Sequence, residues 1–320
     1  MKPKEILVFG ASGQIGRHLV RKLTKNNYKV IAVTRNIHQK GYILKPLANP
    51  GYLELIEINS FSPDKIKDLV KNCSICINLI GILFEKKKNN FKKIHTELPD
   101  LLSKISNDQK IDQLIHVSAL GIENATESKY ALSKMDGEKA IRKNFNQSVI
   151  LKPSVIYSVD DRFSTSIMTL LNRLPFMPLY YQGKTKFTPI HVNDMTEIIF
   201  EIINNNITSK TIECVGPEVF SFKEIILKLL KSIDKKRLLI PVPLFLAKIM
   251  ARIFEIMPEP LITTDQLKIL NYDNVVSGKY ITNFDLGFKA NRKFETEIEK
   301  YSYNWKSGGQ FSKKNISNIN

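Results

Sequence analysis

Cysteine is scarce, with three residues in 320 (Cys73, Cys76 and Cys214). That count excludes a disulfide scaffold and fits a reducing compartment. Cys73 and Cys76 form a C-x-x-C pair, but no second pair and no nearby histidine completes a zinc set. They lie in the strand-like run Cys73-Ser74-Ile75-Cys76-Ile77-Asn78-Leu79-Ile80, whereas a redox pair is expected at a helix N-terminus. Both are read as small, half-buried strand residues. His95 and His191 are isolated, so no metal site is expected.

Long apolar runs are also missing. No stretch reaches the about 18 uncharged apolar residues of a membrane span. The nearest, Leu238 to Met257, contains two prolines, Lys248, Arg252 and Glu255. The start, Met1-Lys2-Pro3-Lys4-Glu5, lacks the charged, apolar and cleavage regions of a signal peptide, so a cytoplasmic location is expected. Acid is in deficit: 31 Asp and Glu stand against 48 Lys and Arg, a net charge of +17. The basic residues are dispersed, with one short run at Lys86, Lys87 and Lys88, and no aromatic-plus-basic RNA module is visible. Nucleic acid is therefore not an expected partner; attraction to anionic lipid fits better.

What is present supports a core of ordinary size: 43% of residues are hydrophobic and 25% charged. Strand and helix signals alternate through the first half. Strands are expected at Glu5–Gly10, Tyr28–Thr34, Leu53–Ile58, Ser74–Ile80, Gln113–Ser118 and Ser148–Lys152. Helices are expected at Gln14–Lys25, from Ser62-Pro63-Asp64 onward, at Phe91–Ser106 and at Lys129–Phe145. This alternation predicts an α/β fold, a Rossmann-type doubly wound parallel sheet. The second half is less regular. Helices are expected at Phe163–Asn172, Asp194–Asn204 (with Asp194 as N-cap), Ser221–Ile233 and Leu244–Ile256, and short strands near Lys186–His191 and Thr211–Val215. The division predicted is a nucleotide-binding domain over 1–155, a smaller C-terminal α/β lobe over 156–305, and a disordered polar tail over 306–320.

Gly10-Ala11-Ser12-Gly13-Gln14-Ile15-Gly16 follows a strand and opens a helix, the context a dinucleotide loop demands. Gly10 permits the tight turn, Gly13 lets the backbone approach the pyrophosphate, and Gly16 lets helix and strand pack closely. Free N–H groups at the helix start then hold the phosphates. An NAD site usually places Asp or Glu at the end of the second strand to bond the ribose 2′-hydroxyl. Here Val33-Thr34-Arg35 has no acid, and Arg35 suits a 2′-phosphate. NADP(H) is therefore favoured, with NAD(H) as the alternative. Asn59, ending the third strand, is a candidate adenine contact.

Tyr130-Ala131-Leu132-Ser133-Lys134 places a tyrosine and a lysine one helical turn apart on one face. Ser118 ends the preceding strand at the carboxyl edge, where ligands sit. The three form a candidate proton-transfer set. Tyr130 would act as acid or base, Lys134 would hold the ribose and lower the tyrosine pKa, and Ser118 would bond a substrate carbonyl.

At these residues the chain resembles an atypical short-chain dehydrogenase/reductase. The resemblance narrows at Asn78-Leu79-Ile80-Gly81-Ile82-Leu83, Phe91 with Ile94-His95, Lys152-Pro153-Ser154-Val155-Ile156-Tyr157 and Asp161-Arg162-Phe163. Its most selective pieces are Pro260-Leu261-Ile262-Thr263-Thr264-Asp265-Gln266-Leu267 and Asp273-Asn274-Val275-Val276. Together, over about residues 4 to 300, these are similar to the family of the NAD(P)H-binding accessory subunit of respiratory complex I, its bacterial relatives and proteins of ubiquinone biosynthesis. The resemblance implies that Leu79, Ile80, Gly81, Pro153 and Ser154 join the cofactor site. It also implies a nucleotide that can be structural, partners among complex I subunits or quinone-pathway proteins, and a place peripheral to the inner face of the inner membrane. A true NADP-dependent oxidoreductase or epimerase acting on a lipophilic substrate is the alternative. In Leu244 to Met257, Lys248, Arg252 and Glu255 share one helical face against Leu244, Phe245, Leu246, Ile249, Met250, Ile253, Phe254 and Ile256. Such a helix either faces the core of its lobe or lies on lipid or over a quinone-like substrate.

Overall fold

The computed structural model describes residues 5–86 and 89–309. Most of the tail (310–320), the first four residues, and Lys87 and Lys88 of the basic run lie outside the described residues. Short apolar runs between helices form buried parallel strands, since a strand covered on both faces needs no polar side. In chain order the first half runs β1 (Glu5–Phe9), α1 (Gln14–Lys25), β2 (Lys29–Thr34), α2 (Ile37–Leu44), β3 (Leu53–Glu57), α3 (Pro63–Val70) and β4 (Ile75–Asn78). A π-helical stretch, Lys92–Glu97, then leads into α4 (Leu98–Asp108), β5 (Gln113–Val117), α5 (Lys129–Asn144) and β6 (Ser148–Pro153). The second half holds β7 (Ile156–Tyr157), α6 (Ser164–Arg173), β8 (Phe176–Leu179), β9 (Lys186–Phe187), β10 (Ile190–His191), α7 (Val192–Asn204), β11 (Lys210–Cys214) and β12 (Phe220–Ser221). It ends with α8 (Phe222–Ser232), β13 (Leu238–Pro241), α9 (Leu244–Phe254), α10 (Thr264–Ile269), β14 (Ile281–Thr282) and α11 (Phe294–Glu299).

Eight strands form one sheet in the order β14-β11-β6-β5-β4-β1-β2-β3. Every pairing in it is parallel. The order reverses between β1 and β4, the switch point at which a doubly wound sheet opens a crevice. On one face, Leu19, Val20 and Leu23 of α1 and Met195, Ile198, Ile199 and Ile202 of α7 bury against the sheet. The other face packs α3, α4 and α5 through Ile66, Leu102 and Ile141. A separate core joins α6, α8 and α11 through Met168, Ile225 and Phe294.

Several features depart from the sequence reading. The expected division at 155 does not bound the sheet: β11 and β14 extend it beyond β6, and α7 packs on α1. Asp194 is not the N-cap of α7. His191 caps it, accepting from the Asn193 N–H at 3.3 Å. Asp194 is buried in the first turn and pairs with Arg292 instead. The stretch 186–191 divides into β9 and β10, whose partners differ. The helix α2 was not foreseen.

Because α7 shares the α1 face, both halves should unfold together. Truncating the wholly buried Ile198 to alanine should cost about 2–5 kcal/mol. In urea, one cooperative transition at lower midpoint is expected for Ile198→Ala. Two resolved transitions would mean that α7 belongs to an independently folding lobe.

Candidate nucleotide-binding and proton-transfer site

A parallel sheet delivers the carboxyl ends of all its strands to one edge, and the segments that follow β1, β2, β4, β5 and β6 lie along it. Gly10 takes a positive φ of 80° at the end of β1. The chain then turns into α1 with Gly13 as N-cap, supported by the Gly13 N–H donating to the Gly10 carbonyl at 3.0 Å. A Cβ on Gly16 would collide with the carbonyl groups of Gly10 and Ala11, so the close approach of α1 to the loop requires glycine there. No side chain caps α1 and no acid stands in its first turn. The amides of Gln14, Ile15 and Gly16 are therefore left to an anion at the positive end of the helix. Ser12 Oγ and Thr34 Oγ1 lie 3.1 Å apart and tie this loop to the end of β2. Gln14 Nε2 donates to Ser158 Oγ at 2.8 Å, and Arg17 pairs with Asp160 at 2.5 Å, bracing α1 against the segment after β7.

Arg35 is exposed next to Thr34 and makes no ion pair among the described residues. Its guanidinium is free to meet a phosphate. Asn59 stands farther out, donating to Glu57 Oε1 at 3.3 Å. Leu79 and Ile80 press against Gly10, where a Cβ would come within 3.3 Å of the Ile80 backbone. Gly81 continues toward α5, and a Cβ placed on it would be 3.8 Å from both His95 Nε2 and Lys134 Nζ. The Gly10–Gly16 loop, the end of β4 and the Tyr130–Lys134 turn thus form one continuous surface.

Lys134 is buried and its Nζ donates to the Val117 carbonyl at 3.3 Å, lying 5.6 Å from the centre of the Tyr130 ring. Burial lowers Lys134 to about 8, with Glu138 drawing it back up and Lys152 pushing it further down. The expected lowering of Tyr130 is not found. Burial raises that phenol, because its ring packs edge-on to Phe91 at 5.7 Å and His95 at 5.2 Å. The Tyr130 hydroxyl makes no hydrogen bond among the described residues.

Two expected hydroxyls have other partners. Ser118 donates to the Glu138 carboxylate, which also binds the wholly buried Lys152 at 2.7 and 2.9 Å. Ser154 donates to Asn274 Oδ1 at 2.6 Å and accepts the Thr188 N–H at 3.2 Å. Pro153 ends β6 beside it, opposite Cys214 of β11.

Several site residues escaped the sequence reading. Buried and beside the charge of Lys134, His95 is lowered to about 2 and is neutral. Its Nε2 accepts the Ile82 N–H at 3.1 Å, so Nδ1 carries the proton, 3.0 Å from Ser133 Oγ. His95 thereby fastens the loop after β4 to α5. Glu138 could have been found: four residues beyond Lys134, it shares that helical face. Burial raises Cys73 to about 12 and raises Cys76 as well, which makes both thiols poor nucleophiles.

The sequence model of the NAD dependent epimerase/dehydratase family matches residues 6–215. The chain belongs to that family. Among curated proteins, it is 25% identical over 300 residues to the NADH-ubiquinone oxidoreductase 40 kDa subunit of Neurospora crassa, spanning 93% of this chain and 77% of that one. It is 26% identical over 307 residues to the NADH dehydrogenase [ubiquinone] 1 alpha subcomplex subunit 9 of Mus musculus, spanning 94% and 81%. The fold is that of a dTDP-glucose 4,6-dehydratase from Streptomyces venezuelae solved with NAD, with a TM-score of 0.70, 14% identity and coverage of 94% and 96%. It is likewise that of a UDP-glucuronic acid 4-epimerase from Bacillus cereus solved with NAD, with a TM-score of 0.68, 19% identity and coverage of 94% and 99%. The glycine loop, the uncapped start of α1 and the Tyr130–Lys134 turn fit this epimerase-type family's nicotinamide dinucleotide.

An unfolded chain keeps the Lys134 proton up to 10.5, whereas the folded one releases it near 8. Stability should therefore rise with pH from about 8 to about 10, the burial penalty being felt in full below that window. Lys134→Met should flatten this part of a plot of thermal midpoint against pH. Superimposable slopes for variant and wild type would show that Lys134 holds its proton ordinarily.

Proposed function

We propose that this protein holds NADP(H) as an accessory subunit or assembly factor of respiratory complex I, at the surface of the inner membrane and on its inner, cytoplasmic face. The observation that carries the proposal is the reach of the likeness. It runs over more than nine-tenths of the chain to subunits named for that complex, past the 6–215 stretch that the family model matches. The unpaired Arg35, with no acid at the end of β2, supports the phosphorylated coenzyme over NAD(H). In this reading Gly10 to Gly16 and Lys134 grip the nucleotide, Leu79 to Gly81 and Pro153–Ser154 border it, Asn59 lies at its adenine end, and residues 156–305 face the partner.

The helix α9 supports the membrane side of the proposal. Its fully buried residues are only Ala247 and Ala251. Phe245 is 68% exposed, Ile253 58% and Ile249 50%, and Ile256 just beyond is 85% exposed. The packing covers one narrow side of this helix, Ala247 and Ala251 against Tyr180, Ile262 and Leu267, and leaves its larger apolar side chains uncovered. An oily face edged by Lys248 and Arg252 suits the surface of an anionic bilayer, and no described helix is long and apolar enough to cross one.

A second reading is favoured by one observation: the Tyr130 hydroxyl stands free beside Lys134. In it, the protein is an NADP-dependent oxidoreductase or epimerase acting on a lipophilic substrate, such as one of ubiquinone biosynthesis. Tyr130→Phe separates the two, leaving nucleotide retention and assembly intact in the first and abolishing turnover in the second.

Purification of the tagged protein from its own membranes tests the first reading. Complex I subunits and NADPH should accompany it, and a preparation free of both would overturn the proposal. For cofactor choice, Arg35→Ala should weaken NADPH by about tenfold, the order expected for one charge-assisted contact, and leave NADH nearly unchanged. Equal losses for both coenzymes in titration calorimetry would remove the case for the 2′-phosphate.

A further inference from the structure

We infer that Asp265 is a positioning residue for the nucleotide site: its carboxylate, brought from a distant segment, completes the N-terminal cap of α5 and so fixes where Tyr130 and Lys134 stand. This deepens the proposed function and rests on its reading of that site.

The helix α5 begins with a local cap of its own, Ser128, whose Oγ accepts the Ala131 N–H at 3.2 Å. That leaves the amides of Lys129 and Tyr130 without partners inside the helix. Asp265 takes both. Its Oδ1 accepts from the Lys129 N–H at 2.9 Å and its Oδ2 from the Tyr130 N–H at 3.0 Å. The same Oδ2 accepts the Ser128 hydroxyl proton at 2.8 Å, orienting the local cap as well. No acid stands in the first turn of α5, so Asp265 supplies the negative charge that the positive end of the helix favours. One of the amides it holds is that of Tyr130 itself, and Lys134 follows one turn later.

The carboxylate is held in place from both sides. Thr263 and Gln266 form a capping box at the start of α10. Glu255, at the end of α9, accepts from the Thr264 N–H and its hydroxyl, each at 2.7 Å. Beyond Asp265, Lys268 Nζ donates to the Glu127 carbonyl at 3.0 Å, and the Tyr272 hydroxyl donates to the Glu127 carboxylate at 3.1 Å. The Asn274 amide donates to the Leu120 carbonyl at 2.6 Å. Residues 263–274 are thus a strap fastened along the loop that runs from Leu120 to Tyr130. Nothing in the nucleotide chemistry itself calls for this strap. The strap is also fastened on its other side, where the Lys186 N–H donates to Asp273 Oδ1 at 2.8 Å and Ser154 donates to Asn274 Oδ1 at 2.6 Å, so its position does not depend on α5 alone.

The test compares Asp265→Ala and Asp265→Asn in the full-length protein, with Ser221→Ala as control. Ser221 caps α8, away from the site. NADPH affinity is read by coenzyme fluorescence, and amide hydrogen exchange is followed over residues 128–134. Asp265→Ala should raise the NADPH dissociation constant about tenfold, as loss of a strong cap near the ligand allows, and speed exchange at the start of α5. Asp265→Asn, which keeps an acceptor but loses the charge, should fall between. Ser221→Ala should change neither reading. The inference is overturned if folded Asp265→Ala binds NADPH within about twofold of wild type, or if Ser221→Ala loses as much affinity. Should Asp265→Ala fail to fold, Asp265→Asn carries the same two criteria. If the wild type binds no nicotinamide coenzyme, the proposed function fails by itself. Exchange in the ligand-free chain then decides the cap, faster at 128–134 sustaining it and unchanged refuting it.

Discussion

The unpaired amides in the first turn of α1 are the constraint on which the rest depends. A helix end that stands uncapped is costly unless water or a ligand satisfies it. The chain spends three glycines on keeping this one open and approachable. Gly10 supplies the turn, Gly13 presents no side chain at the cap, and Gly16 allows α1 to sit against the loop carbonyls. The parallel sheet then places the ends of β2, β4 and β5 beside that opening. Ser12 of the loop meets Thr34 at the end of β2, and Leu79 and Ile80 after β4 press on Gly10.

Below this surface lies a buried polar layer between the sheet and α5. Asn78 and His116 meet at 3.1 Å across β4 and β5. Ser118, Glu138, Lys152 and Glu123 form a chain of charge-assisted bonds. Burial disfavours the Lys152 cation, yet two carboxylates outweigh it and keep the lysine charged. Burial keeps His116 neutral, lowered to about 3 with Lys134 and Lys152 nearby. A layer of this kind is weak support for stability, but it fixes the register of α5 over the sheet because each partner tolerates few alternatives.

Most of the first half was legible because local signals and tertiary demands agreed there. The run Glu5–Gly10, the glycines after it and the amphipathic stretch from Gln14 each predict the same strand–turn–helix, and β1 and α1 follow. Pro63 after Ser62 marked the start of α3, where proline at the first position needs no N–H. What stayed hidden depended on pairing at long range. Nothing in Lys210–Cys214 tells that it extends a sheet begun at Glu5, and nothing in Asp265 tells that it caps a helix begun at Lys129. Ser118 and Ser154 have the right chemistry at the right strand ends, but hydroxyls rotate toward the strongest nearby acceptor, here Glu138 and Asn274. His95 looked isolated because sequence distance conceals that Ile82 and Ser133 close on it from two different elements.

The remote cap on α5 has a consequence for synthesis. A nascent chain that has emerged only through residue 260 already contains every strand from β1 to β6 and both members of the Tyr130–Lys134 turn. It does not yet contain the carboxylate, 135 positions later than Tyr130, that closes the start of α5. Contacts of such separation form late. A ribosome must therefore deliver nearly the whole polypeptide before the coenzyme pocket acquires its final shape, and a truncated translation product would carry the glycine fingerprint without a finished site behind it.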